Sequence, residues 1–474
     1  MSICPVAMLL TGGFRPGRLV LQRASQPLPH SPRRLPQRWP LQDPAQARCR
    51  MPLDSGGSQG PEVSLSAHQT VICESINERV SVYKICSEQR NVALKITRVI
   101  IPGQERRRES NVLHSMSAPH PLKEAPGARH LMRMLDHFTL DGVAGIHDCF
   151  VLELVGQKVD LYVEEQTSGR CRLPARVAKR VAKEALMGLD NLHKRGIVHG
   201  EIRTGNLVFS LPHSVHSTSE AAFCAALGSP QICPVVSGDG EPVGPEKPAY
   251  IVAPASFPEE LALCSQPVKL IDFGESFLSA DTPRRLSVDG PSVAATIAQA
   301  PGVVFGEPLD HRIDLWSMGV MLFELITGVH LFAYERKSPT TQINEMLHLA
   351  PDALPARWQS QWRAMCAEQA FPWHSHSSAA ALSTATRATP HEEDTQQGHE
   401  SLTDDGDKSL RDHLAKEYFG RTRRFDLADG EENDFFTESD IAKMGEMIGK
   451  LIRLEPAARV SVADVLADSW WDDV

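Results

Sequence analysis

The chain has 474 residues, 42% hydrophobic and 23% charged, an ordinary balance for a soluble globular protein and enough for one two-lobed domain or about three small ones. A net charge of -10 argues against general nucleic-acid binding and permits a basic partner. The ten scattered cysteines form no CxxC and no Cys/His array, which excludes a disulfide scaffold and a zinc site and points to reduced thiols in an intracellular compartment.

Residues 1–61 form a basic tail; positions 1–50 hold eight Arg, one acid (Asp43) and many Pro. They read as a disordered tail or a targeting segment without a stable amphipathic helix, because Pro breaks the pattern. Globular patterning begins near residue 62. Val71–Glu74, Val80–Ile85 and Asn91–Thr97 read as strands, Glu105–Met116 as a helix and Phe150–Val155 as a buried strand. The spacing of Val177, Val181, Ala185, Leu189 and Leu192 predicts a helix over Ala175–Lys194.

Three inserts follow. Residues 211–266 are rich in Ser, Pro and Gly and read as irregular, as do 279–297. Residues 374–410 read as a solvated, mobile acidic loop that could serve an Arg-rich partner. Helices are predicted at Ile313–Thr327, Gln359–Ala367 and Glu438–Leu454. The apolar stretch Leu315–Phe332 holds Glu324 and His330 and reads as a buried core helix, not a membrane span. Strands dominate before about residue 155 and helices after it, so a small sheet lobe joined to a larger helical lobe is expected.

Phosphoryl transfer needs cations for the nucleotide phosphates, oxygen ligands for Mg²⁺ and a group that takes or orients the hydroxyl proton. Lys95 ends the strand Val92-Ala93-Leu94-Lys95, where small Ala93 leaves room for an adenine. Glu109 follows on a helix and can pair with Lys95. In His199-Gly200-Glu201-Ile202-Arg203-Thr204-Gly205-Asn206 an acid precedes Asn by five positions. Asp272-Phe273-Gly274 follows an apolar strand and offers a hard carboxylate ligand. Asp314 opens the buried helix, and Arg459 precedes the last one. Taken singly, these also read as an exposed strand Lys, a solvated helix Glu or a chance tripeptide. Their fixed order outweighs those readings.

On these residues the chain resembles the eukaryotic protein kinases over about residues 62–473. It is most similar to fungal relatives of the SR-protein kinases, through Leu152–Gly156, His199–Asn206, Val268–Phe277, Phe305–Gly328 and the insert between Asn206 and Asp272. The resemblance implies an α+β, bilobal protein kinase-like fold, with residues 62–155 as the N-lobe and 156–474 as the C-lobe. It implies ATP and Mg²⁺ as cofactors. Val82, Ala93, Lys95, Glu109, Glu153, Val155, Asn206 and Asp272 would surround the nucleotide, and Asn206 and Asp272 would hold the metal. Glu201, Arg203 and Lys95 would be catalytic. A protein substrate rich in Arg and Ser, a monomeric state and a cytoplasmic or nuclear location follow from the same resemblance, with no direct nucleic-acid or membrane partner.

The chain departs from the family pattern in several places, among them Arg203 for the usual Lys, which keeps the charge but not its geometry, and Ala298-Gln299 where a Tyr-Arg type pair would recognise substrate. No Gly lies between residues 61 and 102, so Ser75, Asn77 and Val80 stand where a phosphate-covering loop has Gly. Glu201 replaces the base Asp and displaces the carboxylate by roughly 1.5 Å. Gly200 replaces an Arg that would grip an activation-loop phosphate. Gly302 replaces a Glu that would pair with Arg459, so either another acid serves Arg459 or the region is loose. Three readings compete: an active Ser/Thr kinase, a pseudokinase scaffold, and a small-molecule phosphotransferase of the aminoglycoside-kinase type.

Overall fold

The structure, a computed structural model, describes residues 70–74, 79–85, 90–99, 108–142, 145–166, 172–229, 231–235, 250–253, 255, 257–258, 261, 263–280, 300–332, 338–370, 405–425 and 434–474. Strands β1 (Thr70–Glu74), β2 (Arg79–Ile85) and β3 (Arg90–Val99) lead to helix α1 (Arg108–Ser117) and strands β4 (Met134–Gly142) and β5 (Gly145–Glu153). The chain continues through α2 (Val159–Gln166), α3 (Ala175–Lys194), β6 (Ile197–Val198), β7 (Leu207–Phe209), α4 (His213–Ser217), α5 (Glu220–Leu227), β8 (Ile232–Pro234) and β9 (Tyr250–Val252). It ends with β10 (Val268–Leu270), β11 (Phe277–Leu278), α6 (Pro301–Val304), α7 (Arg312–Thr327), α8 (Pro339–Leu349), α9 (Gln359–Ala370), α10 (Asp405–Phe425), α11 (Glu438–Leu451) and α12 (Val462–Leu466).

The expected succession of sheet and then helices is present. Strand alternation decides what reaches the cleft. In β3, Val92 and Leu94 pack with Cys149 and Val151 on the outer face. Ala93 and Lys95 therefore point to the other face, where Ala93 joins Val112, Leu113, Phe150 and Leu152 in the main core. In α1 the buried positions Glu109, Val112, Leu113 and Met116 fall at helical spacing, so Glu109 lies on the stripe that meets the sheet.

The insert at 211–266 is not wholly irregular, contrary to the sequence reading. It contains α4, α5, β8 and β9, and it returns to the first sheet, whose strand order is β4-β5-β3-β2-β1-β9-β8. The buried Asn91 amide donates to Val215 O at 3.2 Å, and Val215 and Phe223 bury themselves in the main core. Short apolar segments among Ser, Pro and Gly escape a composition-based reading.

The acidic run also needs correction at its end. Residues 405–410 begin α10, whose Leu410, Leu414 and Tyr418 form a buried stripe, while 371–404 lie outside the described residues. Positions 281–297 of the second insert, and residues 1–69, lie outside them too. Several element ends also differ: β3 runs on to Val99 and α9 to Ala370, while β5 stops at Glu153 and α11 at Leu451.

Helix α7 is buried on every side from Asp314 to Thr327, which explains the apolar stretch in the sequence. It ends at Gly328, whose φ of 71° is left-handed. Among the described residues no helix is long and apolar enough to cross a membrane. Gly319 lets α7 and α11 approach closely: a Cβ there would lie 2.7 Å from Ile452 Cγ1 and 3.1 Å from Leu451 Cβ. Gly319→Val is therefore expected to destabilise the protein by about 1–3 kcal/mol, read as a lower urea midpoint, because overpacking outweighs the helix-propensity gain.

Candidate active site

The site lies between the inner face of the first sheet and the loops that follow β6 and β10. Lys95 Nζ donates to Glu109 Oε1 at 2.8 Å and to Asp272 Oδ1 at 3.3 Å. Lys95 is 6% exposed, so its ammonium sits out of water between two carboxylates. Such a pair fixes the direction of the side chain and compensates the cost of burying its charge.

The loop from His199 to Asn206 is held from below. Asp314 is wholly buried and accepts from His199 N and Gly200 N, both at 2.8 Å, and pairs with His193 Nε2 at 3.0 Å. Burial holds His199 below its ordinary pKa, so the ring is neutral. Its partners then set the tautomer: Nε2–H donates to Ile271 O at 3.1 Å, and Nδ1 accepts from Glu201 N at 3.2 Å. Gly200 has φ of +82°, and a Cβ there would stand 2.6 Å from Glu275 O. The missing arginine at this position thus coincides with a backbone that suits Gly.

The loop after β10 is stitched to the first. Ile271 N donates to Asn206 O at 3.0 Å, and Ser276 Oγ donates to His199 O at 2.7 Å. Asp272 has φ of 66° and is the one non-glycine residue with positive φ among the described residues. Asp tolerates this region better than most residues, and such conformations persist where the surroundings enforce them. The Lys95 ammonium, against the effect of burial and with help from Lys158, holds Asp272 down at about 2, so it is a carboxylate at neutral pH.

Glu201 behaves in the opposite way. Burial, and then the Asp272 charge, push its pKa up, while Arg203 and the Asn206 amide pull it back. Its Oε1 lies 3.7 Å from Arg203 Nε. That Nε is buried and makes no hydrogen bond among the described residues. Asn206 Nδ2 donates to Glu201 O at 2.9 Å, which orients the amide and leaves its carbonyl oxygen for another partner. Among the described residues no three of His, Cys, Asp and Glu gather as a metal site. The oxygen pair Asp272 and Asn206 suits a Mg²⁺ ion that keeps waters and phosphate oxygens as its other ligands.

Residues 258–471 match the model of the protein kinase domain. Over that C-terminal stretch the chain is similar to the protein kinases. Among curated proteins it is similar to serine/threonine-protein kinase SRPK of Physarum polycephalum, 26% identical over 273 residues that cover 56% of this chain and 61% of that one. It is 23% identical to protein kinase dsk1 of Schizosaccharomyces pombe over 318 residues, covering 52% and 57% of the two chains. A 95-residue stretch is 30% identical to serine/threonine-protein kinase SKY1 of Saccharomyces cerevisiae, covering 20% of this chain and 12% of that protein. The chain thus spans less than two thirds of the curated relatives it matches. A crystal structure solved as a kinase domain superposes with a TM-score of 0.49 at 16% identity, covering 85% of this chain and 93% of the other.

Within this fold the named residues divide into groups. Lys95, Glu109 and Asp272 are in direct contact, and Glu201, Arg203 and Asn206 adjoin them. Val82 sits in β2 opposite Ala93. Val155 is half-buried against the main core in the segment after β5. Glu153 has a structural tie beyond its expected place: its carboxylate accepts from Arg133 N at 2.8 Å and pairs with Lys269 at 3.0 Å. Ser75 and Asn77 lie outside the described residues, and Val80 pairs with Lys95 across β2 and β3. Sequence reasoning missed Lys158, whose charge acts on Asp272, and Glu275, whose charge acts on Glu201. Neither stands in a spacing that marks it.

Proposed function

We propose that this kinase transfers the ATP γ-phosphate to Ser or Thr of protein substrates, Arg/Ser-rich ones among them, at a reduced rate. The observation that carries the reading is the Lys95 ammonium held between Glu109 at 2.8 Å and Asp272 at 3.3 Å. A chain with no phosphate to hold has no chemical need for a buried ammonium aimed between two carboxylates in that order. Residues 62–155 then form the nucleotide lobe and 156–474 the substrate lobe.

In this reading Lys95 binds nucleotide phosphates and Glu109 keeps it aimed. Asp272 and Asn206 hold Mg²⁺, which neutralises charge building on the phosphate oxygens when bound. Glu201, whose pKa burial raises, takes the proton of the substrate hydroxyl. Arg203, whose buried Nε makes no hydrogen bond among the described residues, would meet the transferred group. The similarity to a serine/threonine-protein kinase supports Ser or Thr as the acceptor, and a basic, Ser-containing peptide is the substrate inferred. We also infer a monomer working in the cytoplasm or nucleus.

The test compares wild type with Lys95→Met, using labelled ATP, Mg²⁺ and an Arg/Ser peptide. Wild type is expected to bind ATP with Mg²⁺ and to label the peptide slowly. Lys95→Met is expected to lose about tenfold or more in ATP affinity, the worth of a charge-assisted contact, and all measurable transfer. If wild type neither binds ATP nor labels the peptide, the reading fails and the scaffold reading, favoured by Glu201 and the Gly-free 61–102 stretch, replaces it.

A further inference from the structure

Away from the cleft, a cavity of about 360 Å³ opens beside α6, with Gly302, Glu307, Asp310, Arg357, Glu455 and Arg459 on its wall. Its size falls in the range of small-ligand sites. Residue 302, which carries no side chain, leaves its part of the wall open. A Cβ built on Gly302 would meet nothing nearer than Glu307 Oε2 at 3.5 Å. The backbone at 302 is ordinary helix, so glycine is not required by conformation.

The charges on the wall are unevenly matched. Arg357 bonds to both Glu307 and Glu455, and Asp310 bonds to Arg312. The Trp358 indole N–H also donates to Glu307, at 2.8 Å. Arg459 is different. It is 7% exposed, and among the described residues no carboxylate lies within salt-bridge distance of it. The sequence suggested another acid or a loose region. Instead Nε, one N–H of Nη1 and one N–H of Nη2 reach the carbonyls of Arg453, Arg312 and Leu454 at 2.9, 2.8 and 3.5 Å. The guanidinium also lies 5.2 Å from the Trp316 ring. Of its five N–H groups, one on each terminal nitrogen has no acceptor among the described residues. Burial lowers the Arg459 pKa to about 10 despite Asp352, Asp310 and Glu455, which marks a cation short of compensation.

We propose that this cavity binds a carboxylate group, held as a fork on the two spare N–H groups of Arg459. A planar pair of oxygens matches those two donors. With Arg459 counted, the three arginines on the wall (Arg312, Arg357 and Arg459) balance its three acids (Glu307, Asp310 and Glu455), so the site tolerates one added negative charge better than a phosphate dianion. The carboxylate comes from a free small acid or from an Asp or Glu side chain of a peptide. Either one braces α6 and the start of α7 against the C-terminal turn that carries Arg459.

The test is thermal unfolding of the full chain in acetate or propionate against chloride at equal ionic strength. A parallel arm compares the peptide acetyl-Ala-Glu-Ala-amide with its Gln counterpart. At ten times the dissociation constant the folding equilibrium shifts about elevenfold, seen as a rise of about 2 °C in Tm. A shift with free acids alone assigns the site to small acids, and a shift with the Glu peptide assigns it to side chains. Gly302→Glu supplies its own carboxylate and is expected to remove the response. Arg459→Lys keeps a charge without the fork and is expected to weaken it. The proposal fails if chloride and the Gln peptide act equally well, or if Gly302→Glu responds like wild type. The readout is binding, so its outcome is separate from whether phosphate is transferred.

Discussion

Asp314→Ala is expected to destabilise the protein by about 3–5 kcal/mol, the range found when one partner of a buried charged network is removed. The change strands the N–H groups of His199 and Gly200 inside the protein and leaves His193 without its 3.0 Å partner. Each orphaned donor costs about 1–3 kcal/mol. Asp314→Asn retains one acceptor oxygen and is expected to lose less, while Asp314→Ala frees the loop that carries Glu201 and Asn206. Urea unfolding of the three proteins checks this; a loss below about 1 kcal/mol in the Ala variant overturns the account of the loop's support. The same residue sets an acid limit. Burial raises the Asp314 pKa, but His193 and then His199 outweigh it, so the folded value is lowered. A lowered carboxylate stabilises the fold above its unfolded pKa, and that stability fades as pH falls through the folded value. Asp314→Asn should therefore flatten the loss of stability on the acid side, below about pH 4.

Glu201→Asp is expected to raise the rate of phosphate transfer, by about 10²-fold if the wild-type carboxylate stands about 1 Å or more from its best position. General-base assistance is typically worth 10²–10⁴-fold, so recovering part of it reaches that size. The shorter side chain also withdraws from Arg203, now 3.7 Å away, and leaves that guanidinium to the phosphate. Single-turnover labelling isolates the chemical step. An unchanged or slower rate, with ATP affinity intact, means that Glu201 is the base this chain has been built around and not a displaced one.

Much of this was readable beforehand, for identifiable reasons. Lys95 was visible because strand alternation and Ala93 place it inward, and Glu109 because Val112, Leu113 and Met116 follow at helical steps. A carboxylate on an apolar stripe is a sign of a buried partner. Asn206 and Asp272 were visible through spacing and through the strand before Asp272. Strand β4 was not, because its pairing with β5 shifts register between Met134 and Asp136 and breaks the period-two signal. Helix α8 was missed for want of a stripe: its buried residues are Ile343 and Met346. Lys158 and the return of the insert depend on chain segments far apart in sequence, which local patterns do not record. Arg459 was expected to need an acid; backbone carbonyls met part of that need, and no sequence pattern foretells carbonyl directions.

The pairing of Glu74 with Val252 has a consequence for biosynthesis. The edge of β1 stays open while the ribosome makes everything between those residues. At roughly 5–20 residues per second, that interval lasts roughly 10–40 s. An unpaired edge is a template for aggregation, so the nascent sheet depends on chaperones or on delayed collapse over that time. Once β9 arrives, the exposed edge passes to three-residue β8, whose Pro234 has no N–H to offer a neighbouring chain. The insert therefore ends as the stopper of the sheet it keeps waiting.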